Sequence, residues 1–88
     1  MMIGMHPGEY IQEVFVEDKG LSQREIADKL RVSPSTVSRI LKQEMAVSAD
    51  MALRLEFGLG RSAESWLRMQ SFYDLCKARE SFQMTANG

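Results

Sequence analysis

The chain has 88 residues, with 11 Lys and Arg against 12 Asp and Glu, a formal net charge of -1 and a hydrophobic fraction of 44%. That length holds one domain, and that composition is too apolar for a disordered chain. No apolar run approaches the roughly 20 residues of a membrane span, and Met1 to Pro7 lacks the basic region and apolar stretch of a signal peptide. A single cysteine, Cys76, cannot form an internal disulfide, so the reading is a reduced, cytoplasmic protein. His6 and Cys76 stand 70 positions apart and have no ligand partners in the sequence, so neither a metal site nor a cofactor is expected. On its face, a net charge of -1 with a pI near 5.8 argues against a nucleic-acid partner.

Five helices are predicted, within one domain over residues 1–80. The first runs from Pro7 to about Asp18. Proline suits the first helical position, and Glu9 meets the positive end of the helix dipole. Tyr10, Ile11, Val14 and Phe15 give it one apolar face. The second begins at Ser22, where Ser22-Gln23-Arg24-Glu25 reads as a capping box, and carries Ile26, Ala27 and Leu30. The third begins at Ser33 with Pro34 at its first position and buries Val37, Ile40 and Leu41. Two short helices with only Arg31 and Val32 before the second cap outline a helix-turn-helix over residues 21–42. The fourth helix is capped by Ser48, carries Met51, Ala52 and Leu55, and stops at Gly58 and Gly60. The fifth, over residues 62–79, is capped by Ser62 and fades near Arg79. Residues 81–88 are expected to form a flexible tail.

Function concentrates in residues 21–41, LSQREIADKLRVSPSTVSRIL. A small Ala27 allows the two helices to cross closely. Val32 and Val37 plug the angle between them, and Ile40 pins the third helix to the domain. Ser33, Ser35, Thr36, Ser38 and Arg39 are then left facing solvent. Such a low polar face can enter a major groove, where residues at the start of the helix meet base edges. Arg39 can bond guanine O6 and N7 together, and Ser35 and Thr36 can reach purines or pyrimidines. Gln23, Arg24, Arg31 and Lys42, with Ser33 and Ser38, are candidates for phosphate contact and positioning. The alternative is a solvated face of a helical bundle. Four hydroxyl residues on one short helix lower helix propensity without adding packing, which favours the functional reading.

Local charge agrees with it. Residues 19–42 hold six Lys and Arg against two acids, whereas residues 1–18 hold four acids and no Lys or Arg. The first helix is therefore either a solvated face or a docking surface for a basic protein, with Glu13 and Glu17 as candidates. Trp66, Phe72 and Tyr73 on the last helix either complete the core or form a two-fold interface. A reader of palindromic DNA needs the latter, to hold two heads about 34 Å apart. No phosphate loop, carboxylate dyad or nucleophile motif is present, so no enzyme is expected.

Three stretches together resemble the HigA-type antitoxins, within the Cro/repressor-like helix-turn-helix superfamily. His6-Pro7-Gly8-Glu9 is similar to the opening motif of that family. Val32 to Leu41 is similar to its turn and recognition helix. Ala52-Leu53-Arg54-Leu55, Leu59-Gly60, Trp66-Leu67-Arg68-Met69-Gln70 and Tyr73-Asp74-Leu75 are similar to its C-terminal signature. The resemblance implies an all-α, five-helix, lambda-repressor-like DNA-binding domain that acts as a homodimer on double-stranded operator DNA in the bacterial cytoplasm, at the nucleoid when bound. It also implies repression of its own operon, and a partner that is a HigB-like toxin cutting mRNA. Ser35 and Arg39 fall on the superfamily's base-reading positions, with Gln23, Ser33 and Thr36 nearby. The alternatives are a stand-alone or phage-type repressor without a toxin, and a protein inhibitor that binds DNA weakly. The sequence departs from the family pattern at three places. Arg31 replaces a usual glycine at the turn, Gly58 replaces a usual alanine, and Ser65 stands where an apolar residue is common.

Overall fold

The structure is a computed structural model that describes residues 4–87, with side chains through Phe82. Among the described residues the fold is all-helical, with five helices and no strand. Met1 to Ile3 and the tail residue Gly88 lie outside the described residues.

Helix α1 opens as an α-helix over Pro7–Ile11 and continues as a π-helix over Gln12–Asp18. The expectation of one regular α-helix is corrected here. The wider turn aligns residues five apart, so the Gln12 amide donates to the Glu17 carboxylate at 3.3 Å and the Lys19 amide donates to the Val14 carbonyl at 3.1 Å. Ile11 and Val16, also five apart, both pack on the core. Apolar residues at 10, 11, 14, 15 and 16 suit either register, which is why the spacing did not reveal it.

The cap of α1 is His6, which the sequence left without a partner. Its Nδ1 accepts from the Gly8 amide at 2.9 Å, and the ring is buried edge-on to Tyr73 with centroids 5.0 Å apart. Gly8 follows because α1 crosses α3 at backbone contact: a Cβ here would collide with the Ile40 carbonyl.

Helix α2 spans Gln23–Leu30 and α3 spans Pro34–Leu41. Both start as expected. Ser22 Oγ accepts from the Glu25 amide at 3.0 Å while the Ser22 amide donates to the Glu25 carboxylate at 2.8 Å. Ser33 Oγ accepts from the Thr36 amide at 3.2 Å. Ala27, Val37 and Ile40 are buried, but Val32 is only half-buried, as is Leu41. Helix α4 spans Ala49–Leu59 behind its Ser48 cap and ends at left-handed Gly60, φ 94°. Gly58 lets the end of α2 lie against α4, since a Cβ would sit 2.7 Å from the Lys29 carbonyl oxygen.

Helix α5 spans Ala63–Asn87. This corrects the expected end near Arg79: residues 81–87 carry helical backbone. No glycine or proline interrupts the sequence between Ala63 and Asn87, so nothing local stops the helix. From Lys77 to Phe82 every side chain is exposed, and α5 runs past the body of a 46 × 24 × 22 Å molecule.

The core gathers Ile11, Ile26, Leu30, Val37, Ile40 and Leu55 around Trp66, which is wholly buried. Tyr10 meets the Trp66 ring edge-on at 5.6 Å. Gln70 is also buried, accepting from the Val47 amide at 2.8 Å and donating to Asp74 at 2.9 Å. The C-terminal signature is thus largely a device that fixes the α3–α4 loop to α5.

Candidate nucleic-acid interface

Ser33 is both cap and hub of the exposed end of α3. Its hydroxyl lies 3.0 Å from Ser35 Oγ and 2.9 Å from Thr36 Oγ1. Pro34 fixes the backbone direction at the first turn without needing a donor there. The result is a tight group of three hydroxyls at the positive end of a helix dipole, which is favourable ground for a phosphate or for base acceptors. Ser33 and Ser35 are exposed, and Thr36 and Ser38 are half-buried.

Arg39 lies one turn further along α3 and is exposed. Within the described residues no hydrogen bond or ion pair engages its guanidinium, nor the side chains of Gln23, Arg24 and Lys42, all of them exposed. These groups keep their full donor capacity for an external partner. Glu25, the acidic residue at the start of α2, stays exposed but reaches back to its cap: the Ser22 amide and hydroxyl hold its carboxyl below the ordinary value of 4.5.

Arg31 takes a different place. Its backbone is left-handed at φ 59° and ψ 47°, a conformation that favours glycine. The strain of a Cβ there is about 1–2 kcal/mol. Two contacts offset it. The guanidinium of Arg54, on α4, donates to the Leu30 and Arg31 carbonyls at 3.1 and 2.9 Å and so caps α2. The Arg31 guanidinium itself rests over the Phe57 ring, 5.4 Å from its centroid. The side chain expected to meet phosphate is therefore engaged with α4. In the sequence, Arg54 stood out only as part of the C-terminal signature and Phe57 not at all, because their partners are 23 to 26 residues away.

Glu13 and Glu17 are exposed on α1, together with Glu9 and Asp18. Of the three aromatic residues expected at an interface, Trp66 has no surface to offer and belongs to the core. Tyr73 is half-buried against His6, and Phe72 is half-buried. Among the described residues no group of three His, Cys, Asp or Glu side chains could hold a metal, and no helix is long and apolar enough to cross a membrane.

The Helix-turn-helix family matches residues 13–66. Virulence-associated protein I of Dichelobacter nodosus is 42% identical over 82 residues, 93% of this chain and 76% of that protein. The antitoxin GraA superposes with a TM-score of 0.89 at 39% identity, covering 100% of this chain and 95% of its own. The Pseudomonas aeruginosa antitoxin HigA, solved with the higBA promoter, superposes with a TM-score of 0.85 at 34% identity, covering 94% and 90%.

Proposed function

The chain belongs to the helix-turn-helix family of HigA-type antitoxins and related regulators, and from that membership we propose that it represses its own operon as a homodimer and neutralises a HigB-like, mRNA-cleaving toxin. The observation that carries the first half is α3, whose exposed hydroxyl group and unpaired Arg39 project from the most basic segment of the chain. Ser35, Thr36 and Arg39 read base edges. Gln23, Arg24, Ser33, Ser38 and Lys42 position the helix on the phosphates.

The second half rests on α1. Its exposed carboxylates lie on the opposite side of the charge balance from α2 and α3, so one molecule carries one surface for a polyanion and another for a cation. A small basic toxin fits the latter, and its approach is accelerated by the complementary field. Reversing Glu13 and Glu17 to Lys should weaken toxin binding and leave operator affinity unchanged. Unaltered toxin affinity would remove α1 from the account. Co-expression with a small basic protein encoded beside this gene, scored by growth rescue, separates an antitoxin from a repressor that has no toxin.

A further inference from the structure

Only Arg31, Val32 and Ser33 separate the end of α2 from the start of α3. The direction in which α3 leaves α2 is set by their backbone angles. Ser33 is held by its own cap and by Pro34 after it. Arg31 is not held by its own chemistry. A Cβ disfavours φ 59°, and an unsupported arginine relaxes toward the right-handed or extended regions. A contact from outside the turn must therefore keep it left-handed.

Helix α4 supplies that contact twice. The Leu30 and Arg31 carbonyls both accept from one nitrogen of Arg54, Nη1, which brings a positive charge to the negative end of the α2 dipole. Nε of the same guanidinium donates to Asp50 at 2.9 Å, one turn back, and this fixes the plane of the fork. Phe57, one turn ahead, lies under the Arg31 guanidinium. Backbone and side chain of one strained residue are thus gripped from a single helix. That helix is anchored separately, by buried Met51, Ala52 and Leu55. A cavity of about 300 Å³ opens on Arg31, Arg54 and Phe57, so polar and stacking contacts hold the turn there rather than close packing.

Ser33, Ser35 and Thr36 follow the turn directly, so a change in the Arg31 backbone swings their hydroxyls and Arg39 behind them. A bidentate bond to a base edge tolerates little error in direction, whereas attraction to phosphates tolerates more. A tilted α3 therefore loses sequence discrimination before it loses general attraction to DNA. We infer that Arg54 and Phe57, without touching DNA themselves, are positioning residues for base reading: by keeping Arg31 left-handed they set the angle at which α3 meets the major groove. Asp50 acts through Arg54, by orienting its fork. The inference rests on the reading of α3 as the recognition helix and names what aims it.

The test titrates the full chain into its own promoter and into a scrambled duplex of equal length, by fluorescence anisotropy over a range of salt. Circular dichroism melts set a temperature at which each variant is folded. Arg54→Met keeps the aliphatic stem and removes the donors. It should lose about tenfold or more on the promoter and little on the scrambled duplex, with the salt dependence unchanged. In the Arg31→Gly background the left-handed turn carries no Cβ penalty, and there the same substitution should lose at most about threefold. A folded Arg54→Met protein that binds the promoter as the wild type does overturns the inference. So does an equal loss on both duplexes, which marks Arg54 as a phosphate contact, and so does an equal loss with and without Arg31→Gly. If Arg54→Met unfolds, Phe57→Ala replaces it, since that ring is exposed. Its loss on the promoter should be about threefold, again suppressed by Arg31→Gly, and no loss overturns the inference. A wild type that binds both duplexes alike contradicts the proposed function instead, and is read before any variant.

Discussion

Arg39 is the residue on which base reading turns. It is exposed, one helical turn past a group of three hydroxyls, and no described side chain competes for its five donors. Arg39→Ala should cost about 1–3 kcal/mol on the operator and relax preference at one base position per half-site, measured by competition between promoter variants. An equal loss on all sequences would make it a phosphate contact. Gly8 is as decisive for the fold. Gly8→Ala forces a methyl group against the Ile40 backbone, which cannot rotate away, so it should destabilise by about 1–3 kcal/mol in urea melts. Both residues are plain in the sequence, but only one was legible as to cause. Arg39 sits at a fixed offset inside a local motif. Gly8 owes its identity to α3, some thirty positions downstream, and Gln70 owes its own to the Val47 amide 23 residues upstream.

Caps were the most legible feature at the scale of elements, because a cap is local chemistry. Ser22, Ser33, Ser48 and Ser62 each accept from an amide three residues on. His6 does the same work from two residues away, and a lone histidine gives no such signal. It carries a pH dependence with a definite sign. Burial holds its imidazole below the ordinary value of 6.5, against the opposing pull of Asp74, the Met45 carbonyl it is bonded to, and Glu9. The unfolded chain therefore takes up the proton first. Stability is full above about pH 6.5, falls as pH drops from there through the lowered folded value, and levels off below it. Protonation also replaces the acceptor that caps Gly8 with a donor. The melting temperature should be lower at pH 5.5 than at pH 7.5, and His6→Asn, which keeps a side-chain cap without titrating, should shrink that difference. An undiminished difference would place the titrating group elsewhere. The π-helical turn of α1 and the length of α5 were illegible for a different reason. Apolar spacing does not distinguish hydrogen bonds four residues apart from bonds five apart over so short a run. Small polar residues in a C-terminal segment describe a frayed end and an exposed helix equally well.

Across the whole molecule, the net charge of -1 is an average over surfaces of opposite sign. An acidic α1, a basic α2–α3 unit and a nearly neutral remainder share one core, with Trp66 at its centre rather than at an interface. Few excess cations are available to displace counterions from DNA, so non-specific binding should be weak and most of the affinity should come from sequence recognition by two copies. The direct test is titration of the full chain into its own promoter and into a scrambled duplex of equal length at physiological salt, with the mass of the complex determined at saturation. The account predicts two copies per operator and an affinity about a thousandfold or more above that for the scrambled duplex. Equal affinity for both duplexes, or one copy per site, would contradict it.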